Sequence, residues 1–299
     1  MENGRIDIIK EKLFVLVKKW ERRCGTMDKI WKRGTVAYLV TGVFIILLCG
    51  CEKQTETQEV RRTDLPKIIV GCDDYSPFSY VDVNGEETGI DVEMAREAFG
   101  RMGYEPEFVT INWEEKKRLL KEGTIDCIWS SYSMTGREQD YHWAGPYMES
   151  HQVIVVDPKS SIYTLQDLEG KTVAVQSTTK PEDIFRSHGS DIPTPENVLS
   201  VQKRDLLFAF LSKGYVEAIA IHDTAADQFM QDYDMQYRIL DEPLQTVGLG
   251  VAFDLEDERR LDQELSRTLS EMRADGTIQK IVGKYLQDTK RYLGDGNDG

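Results

Sequence analysis

The order of predicted strands and helices constrains the fold of this chain more than any other feature. A β-rich run at 67–72 precedes an amphipathic helix at about 89–101, a strand at 107–111, a second helix and a buried strand at 125–130. Strands that alternate with helices in this way form a parallel sheet, because each helix returns the chain to the same end. The sequence therefore predicts a first α/β unit with a mainly parallel sheet.

A second series of strands and helices begins at 171–176. It continues with helices, one of them at about 204–213, and a strand at 217–221. An apolar strand at 247–253 and two helices, the first at 256–274, complete the pattern. We therefore predict a second α/β unit that resembles the first in its organisation.

Charge and cysteine spacing exclude several classes of function. The 299 residues include 37 basic and 52 acidic side chains, and the formal net charge of -15 is unfavourable for binding nucleic acid. The five cysteines, at 24, 49, 51, 72 and 127, lack the CxxC spacing and the accompanying histidines of a zinc site. We predict no nucleic-acid partner, no metal site and no cofactor, and we expect Cys72 and Cys127 to be free, buried thiols.

The N-terminal region has the pattern of a signal peptide. After Met27, a basic start precedes an apolar run at 36–48, which is shorter than the roughly 20 residues of a transmembrane helix. The run ends in the residues LCGC at 48–51, which resemble the bacterial lipobox. That resemblance implies that Cys51 is acylated, with palmitate among its lipids, and becomes the mature N-terminus. The alternative is an uncleaved signal anchor.

Both ends of the chain lie outside the two α/β units. We predict a leader at 1–50, a flexible polar tether at 51–65 and a disordered tail at 288–299. A start of translation at Met1 and one at Met27 are both compatible with the leader.

Seven short segments occur in an order that is specific to one protein family. They are IVGCDDYSPF at 69–78, GEETGIDV at 85–92, GTID at 123–126, MTGR at 134–137, WAGPY at 143–147, LQDLEGK at 165–171 and ADGTIQK at 274–280. One such segment would be weak evidence, whereas seven in order are not a coincidence. Over 67–287 the chain resembles the polar amino-acid group of the bacterial extracellular solute-binding proteins.

The resemblance implies a two-lobe, type II periplasmic-binding-protein-like α/β fold. Each lobe would be a mainly parallel sheet flanked by helices, with lobe one at 66–153 plus 247–287 and lobe two at 154–246. Two crossover strands, near 152–156 and 246–251, would join the lobes and act as a hinge. A ligand would bind between the lobes, beyond the carboxyl ends of the strands.

The loop after the third predicted strand supplies candidates for binding a ligand carboxylate. The resemblance implies that Arg137 forms a bidentate pair with it, although the usual family pattern has one more residue before this arginine. Ser131 and Ser133 would add backbone N–H and hydroxyl donors. The alternative is a surface arginine that pairs with Glu138 or Asp140.

Acidic residues near the strand ends are candidates for the ammonium group of an amino acid. Asp73 directly follows the first strand, and Asp74 is the alternative. In lobe two the family pattern has an aspartate at the position of His222, and Asp223 follows it. We predict that Asp223 is the ligand residue and that His222 is a loop histidine. A shift of one residue along a strand reverses the face of the side chain.

Aromatic and polar residues complete the predicted site. The resemblance implies that Tyr75 and Trp113 form walls around the ligand side chain, whereas Trp113 could instead be the packed first residue of a helix. Gln176 and Thr179 lie between a strand of lobe two and a helix that begins near Pro181. The start of such a helix favours a carboxylate.

The predicted function is that of an extracytoplasmic, lipid-anchored receptor. It would capture a free amino acid between its lobes and deliver it to the permease subunits of an ABC importer. The alternatives are a periplasmic dehydratase-type enzyme on the same fold, with His222 or Glu115 as the acid, and a ligand-sensing domain. The sequence does not identify the amino acid.

Overall fold

The computed structural model describes residues 65–187, 192 and 194–294 of the chain. The strands are β1 (Lys67–Cys72), β2 (Tyr80–Val81), β3 (Glu87–Thr88), β4 (Glu105–Thr110), β5 (Cys127–Ser133), β6 (His142–Val156), β7 (Thr172–Gln176), β8 (Asn197–Val201), β9 (Ala218–His222), β10 (Arg238–Ile239) and β11 (Gln245–Phe253). The α-helices are α1 (Ile90–Arg101), α2 (Lys116–Lys121), α3 (Lys180–Arg186), α4 (Asp205–Ser212), α5 (Asp223–Asp232), α6 (Leu261–Ala274), α7 (Thr277–Val282) and α8 (Thr289–Leu293). The predicted alternation of strands and helices is confirmed.

The large sheet consists of two parallel parts that flank a pair of antiparallel strands. Its order is β4-β1-β5-β11-β6-β9-β7-β8, and β10 pairs with β6. Strands β4, β1 and β5 are parallel to one another and form the first half, while β9, β7 and β8 are parallel and form the second half. The prediction of a mainly parallel sheet in each unit is confirmed.

The long strands β6 and β11 join the two halves of the sheet. They are antiparallel over the register from Gln245 opposite Gln152 to Phe253 opposite His142. Beyond Gln152, β6 pairs with β9 of the second half up to Val156. Both predicted crossover segments therefore belong to strands that run between the halves, and their action as a hinge stays a prediction.

Helix α1 packs one apolar face against the first half of the sheet. The side chains with apolar spacing along it, Ile90, Met94, Ala95, Ala98 and Phe99, are completely buried. They recur at intervals of three and four residues, so they lie on one face of the helix. This packing holds the start of α1 beside the loop that follows β1.

Helix α6 begins later than the sequence pattern predicted. We expected a helix from 256, whereas α6 begins at Leu261. The side chains of Asp254 and Asp257 accept hydrogen bonds from the backbone N–H groups of Glu256 and Arg259, at 2.8 and 2.9 Å. Such local bonds stabilise turns in competition with a helix, which explains the late start.

The predicted disorder of 288–299 is wrong for its first part. Helix α8 (Thr289–Leu293) lies there, and the side chain of Tyr292 is only 5% exposed. The Tyr292 hydroxyl donates to the carboxylate of Asp223 at 3.2 Å. An aromatic side chain that packs on a distant element orders a segment whose own composition is polar. Residues 295–299 lie outside the described residues.

We expect Tyr292→Ala to lower the free energy of unfolding by about 3 kcal/mol, because a buried aromatic side chain is lost. Tyr292→Phe loses only the hydrogen bond to Asp223, so it should cost no more than about 1.5 kcal/mol. Urea unfolding of both variants measures the difference. Equal and negligible effects of the two substitutions would show that α8 does not stabilise the folded chain.

The N-terminal predictions lie outside the described residues. These are the leader at 1–50, the acylated Cys51 and the tether except for its last residue. Within residues 65–187, 192 and 194–294, no helix is both long and apolar enough to cross a membrane. The prediction that Cys72 and Cys127 are free, buried thiols is confirmed.

Candidate functional site

A cavity lies beyond the carboxyl ends of strands from both halves of the sheet. Its empty volume is about 450 Å³, which includes space open to solvent. It is lined by Tyr75, Trp113, Ser130, Ser131, Tyr132, Ser133, Arg137, Gln152, Gln176, Thr179, Lys180, Pro181, Arg204, Leu207, Ala220, Ile221 and His222. The rule that ligands bind at the carboxyl ends of parallel strands predicts this location.

The structure brings most of the predicted site residues together at this cavity. Those that line it are Tyr75, Trp113, Ser131, Ser133, Arg137, Gln176 and Thr179. Asp73 does not line the cavity but contacts two residues that do, and Asp223 lies elsewhere.

Arg137 is buried at the cavity rather than exposed on the surface. Its guanidinium lies over the ring of Tyr132, 5.1 Å from the ring centroid. One nitrogen donates to the Ser133 carbonyl at 3.4 Å and another to Asp183 of the second half at 2.5 Å. Neither of the surface partners that we considered, Glu138 and Asp140, pairs with it.

The residue before Arg137 adopts a backbone conformation that favours glycine. Gly136 has a φ of +76°. A Cβ atom built on it would lie 2.8 Å from Nζ of Lys180. The loop that carries Arg137 therefore passes close to the Lys180 side chain.

The backbone N–H of Ser131 does not point to a ligand as we predicted. It donates to the carboxylate of the buried Asp91 at 2.6 Å. Ser131 also has a φ of +44°, which is uncommon for a residue other than glycine. Asp91 thus holds the bend at the end of β5, and Ser131 has only its hydroxyl left to offer.

Asp91 is a positioning residue that the sequence analysis missed. Burial raises the pKa of its carboxyl from 3.8 to about 7, against the lowering effect of the Ser131 N–H. Unfolding therefore releases a proton between about pH 4 and 7, so the contribution of this group to stability is present below pH 4 and is lost as the pH rises to 7.

We expect Asp91→Asn to keep the hydrogen bond from Ser131 and to remove this pH dependence. The variant should gain stability relative to the parent as the pH rises from 5 to 7, which thermal unfolding at both values would measure. Asp91→Ala leaves the Ser131 N–H without its partner and should cost about 1–3 kcal/mol at pH 5. Parallel pH profiles for the parent and Asp91→Asn would contradict this account.

Asp73 links the two halves of the sheet instead of lining the cavity. Its carboxylate accepts hydrogen bonds from Gln176 and Arg204 of the second half, each at 3.0 Å. Its backbone N–H donates to the hydroxyl of Ser130 at 3.0 Å. The alternative candidate, Asp74, does not line the cavity, and its carbonyl accepts from Arg204 at 3.3 Å.

The prediction that Asp223 faces the ligand is wrong, and His222 lines the cavity instead. Opposite His222 in the register lies Gln152, whose amide nitrogen is 2.9 Å from Nε2 of the imidazole. The carboxylate of Asp223 contacts His151 at 3.2 Å and Arg291 at 2.9 Å. His151 precedes Gln152 in β6 and so faces the opposite side of the sheet, and its contact with Asp223 lies on that side, away from the cavity.

The imidazole of His222 is neutral at physiological pH. Burial lowers its pKa to about 3, and the positive charges of Arg204 and Arg137 act in the same direction. Its Nδ1 lies 2.7 Å from the hydroxyl of Ser150. The side chain therefore offers hydrogen bonds rather than a charge.

Two aromatic side chains form opposite parts of the lining. Tyr75 contacts His222 with ring centroids 5.9 Å apart, and the guanidinium of Arg204 stacks 3.1 Å from its centroid. Trp113 packs edge-on against Tyr132 at 5.4 Å. Trp113 lines the cavity and is also the first residue of a short 3-10 helix, whereas its role as a wall around a ligand stays a prediction.

Two basic residues, Arg204 in the lining and Lys116 beside it, are the main feature that sequence reasoning missed. Arg204 follows β8 after a short turn, so the rule of strand ends could have found it. Lys116 looks like a surface residue at the start of α2, yet it is only 2% exposed. Its ammonium donates to the carbonyl of Trp113 at 3.1 Å and to the hydroxyl of Thr178 at 2.7 Å.

Burial of Lys116 has an electrostatic consequence. Desolvation, followed by the positive charge of Arg137, lowers the pKa of its ammonium to about 7. Its contacts include a residue of each half, Trp113 and Thr178. Lys116 therefore ties the halves together beside the cavity while adding to its positive potential.

Comparisons with known proteins agree with this architecture. Residues 68–288 match the model of the family described as bacterial extracellular solute-binding proteins, family 3. The chain is 31% identical over 216 residues to a putative amino-acid ABC transporter-binding protein, PatH, of Vibrio harveyi, covering 71% of this chain and 85% of the relative. It is also 31% identical over 230 residues to the histidine-binding periplasmic protein of Salmonella typhimurium, covering 74% and 87%.

A solved structure shows the same fold in a protein with a ligand. An ancestral arginine-binding protein bound to arginine superposes with a TM-score of 0.67 at 26% identity, covering 74% of this chain and 98% of that one. The fold is thus the predicted type II periplasmic-binding-protein-like α/β fold. Given the match over most of its length, the chain belongs to family 3 of the bacterial extracellular solute-binding proteins.

Proposed function

We propose that this protein is the amino-acid receptor of an ABC importer, which captures its ligand in the cavity and delivers it to permease subunits. The observation that carries the proposal is a cavity between two α/β halves, with a buried arginine from one half and polar groups from the other. The names of two relatives, an amino-acid transporter-binding protein and a histidine-binding protein, support the ligand class and the transport role.

Capture would proceed by closure of two lobes, 66–153 plus 247–287 and 154–246. Contacts that cross between the halves support such a closed state, including Asp73 to Gln176 at 3.0 Å and Lys116 to Thr178 at 2.7 Å. Strands β6 and β11 would bend as the hinge, because they are the strands that run from one half to the other.

Within the cavity, each predicted residue has a distinct role. Arg137 would bind the ligand's α-carboxylate, assisted by the hydroxyls of Ser131 and Ser133. Tyr75 and Trp113 would pack on the ligand's carbon atoms. The remaining ligand residues would be Gln176 and Thr179, and Asp73 would act on the site through its bonds to Gln176 and Arg204.

A ligand screen tests the amino-acid assignment. The purified full-length protein is heated with each of the twenty amino acids, cystine and ornithine, and calorimetry follows for every compound that raises the melting temperature. A ligand at 100 times its dissociation constant stabilises the protein by about 2.7 kcal/mol. If none of these compounds shifts the transition, the amino-acid assignment is wrong.

The protonation of His222 and the location of Glu115, the two candidate acids, favour a receptor over a dehydratase-type enzyme. His222 has a pKa of about 3, so at neutral pH it holds no additional proton to donate. Glu115 does not line the cavity and pairs with Arg118 at 3.2 Å. Incubation with a prephenate-like substrate should leave the substrate unchanged, and turnover by the purified protein would favour the enzyme.

We also propose that a signal peptide directs export and that the mature protein is anchored outside the membrane through Cys51. The lipobox-like residues at 48–51 support this assignment. In cells given labelled palmitate, Cys51→Ala should abolish incorporation into this chain, and Cys49→Ala is the matched control that should retain it. Equal labelling of Cys51→Ala and the parent would contradict the anchor.

A further inference from the structure

The charged residues that line the cavity are all basic. Among the described residues, Arg137, Lys180 and Arg204 belong to the lining, and no aspartate or glutamate does. A free amino acid carries one carboxylate and one ammonium, so a site for a cationic side chain needs acidic groups in contact with the ligand. The lining therefore supplies positive charge and no carboxylate for a ligand ammonium.

The nearest carboxylates offset two of these charges, and among the described residues none of them pairs with Lys180. Asp73 is already bound to Arg204 and Gln176. Asp183 is bound to Arg137, and its own side chain is 48% exposed, so much of its charge is screened by solvent. Lys116, directly behind Trp113, has oxygen atoms of Trp113 and Thr178 as partners and no carboxylate.

The uncharged groups of the lining are rich in hydrogen-bond donors. Among the described residues, the Tyr75 hydroxyl, the Trp113 indole nitrogen and the Ser133 hydroxyl are buried without a hydrogen-bond partner. An indole N–H can only donate, and a hydroxyl can donate to an anion. Gln152 contributes one acceptor oxygen that is also without a partner. Donors without partners in a positive cavity suit the oxygen atoms of an anionic ligand.

The basic residues form two centres rather than one. Lys180 lies beside the loop of Arg137, since a Cβ atom on Gly136 would approach its Nζ to 2.8 Å. Arg204 comes from the opposite half and stacks on Tyr75 at 3.1 Å from the ring centroid. The neutral His222 lies in the same lining and is within the field of both Arg204 and Arg137.

We propose that the ligand of this cavity is a small dianion with two carboxylates, one bound at Arg137 and Lys180 and the other at Arg204. This inference rests on the proposed receptor function and specifies its ligand class. The dicarboxylate is either an acidic amino acid or a dicarboxylic acid without an ammonium group. The arginine that a structural relative binds would place an additional cation in a cavity whose lining lacks a carboxylate.

Calorimetry on the purified full-length protein tests whether the ligand is a dianion and whether it is an amino acid or a simple dicarboxylic acid. The probes are L-glutamate, L-glutamine and glutarate, with L-aspartate and succinate as the shorter pair and L-arginine and L-lysine as the cations. Glutamate and glutamine have the same shape and differ in charge. We expect the best dianion to bind at least about tenfold tighter than glutamine and than every cation. Preference for glutamate over glutarate identifies an amino acid as the ligand, and the reverse identifies a simple dicarboxylate.

The outcomes separate this inference from the proposed function. If an uncharged or cationic amino acid binds more tightly than every dianion, the inference is overturned and the receptor function stands. If glutarate or succinate binds and no amino acid does, the inference stands and the amino-acid assignment is overturned. If neither these probes nor any amino acid binds, both are overturned.

A substitution of Arg204 tests the second carboxylate centre. In Arg204→Gln the preference for glutamate over glutamine should fall from at least about tenfold to within about threefold, because the charge that distinguishes them is gone. If Arg204→Gln does not fold, Arg204→Lys is measured in its place. This variant retains a positive charge and should keep part of the preference for glutamate. Arg267→Gln, whose side chain is 70% exposed outside the cavity, should leave the preference unchanged. A full preference in Arg204→Gln would overturn the inference.

Discussion

Arg137→Ala should abolish measurable ligand binding while leaving the fold intact. In the proposed receptor, the substitution removes a guanidinium that forms charge-assisted bonds to the ligand carboxylate in a partly dry cavity. The expected loss is about 3–5 kcal/mol, or several hundredfold or more in affinity. The fold should survive because Asp183, which Arg137 pairs with, has a side chain that is 48% exposed and can be solvated.

The control for this prediction is an arginine far from the cavity. Arg267→Ala, on the exposed face of α6, should bind the ligand as the parent does. Arg137→Lys should recover only part of the affinity, because an ammonium is a point charge and does not reproduce the planar fork. Calorimetry measures the affinities and circular dichroism the fold. A folded Arg137→Ala protein that binds within about threefold of the parent, less than ~1 kcal/mol, would remove Arg137 from the site.

Gly89→Ala should destabilise the protein by roughly 3 kcal/mol or more, since backbone strain and a steric clash add up at this position. Gly89 has a φ of +121°, and a Cβ atom there would lie 2.2 Å from the carbonyl oxygen of Phe78. That oxygen accepts the backbone N–H of Asp91 at 2.9 Å. Relief of the clash would therefore disturb the junction between α1 and the loop that contains Tyr75.

The matched control is Gly100, which lies near the end of α1, whereas Gly89 directly precedes the first residue of that helix. Gly100 has an ordinary helical φ and no atom within 4 Å of a built Cβ. Gly100→Ala should therefore leave stability unchanged or raise it by about 0.5–1 kcal/mol. Urea unfolding compares the two variants with the parent. A Gly89→Ala protein as stable as Gly100→Ala would show that the approach to Phe78 is not required.

The sequence by itself determined the α/β organisation and the general location of the site. Strand and helix periodicity is set by local backbone geometry, so the order of elements and the parallel pairing could be predicted. The carboxyl ends of parallel strands meet at one edge of the sheet, so Arg137 and Gln176 could be predicted to lie near one another. Neither prediction requires knowledge of which side chains contact one another in the folded protein.

Only the tertiary structure decided which side chains face the cavity and what they contact. His222 and Asp223 are neighbours in the sequence, and the pairing of His222 with Gln152 determines which of them turns inwards. Arg204 and Lys116 acquire their roles through contacts with the opposite half of the sheet. Such contacts depend on the packing of elements that are far apart in the chain, and local periodicity carries no information about them.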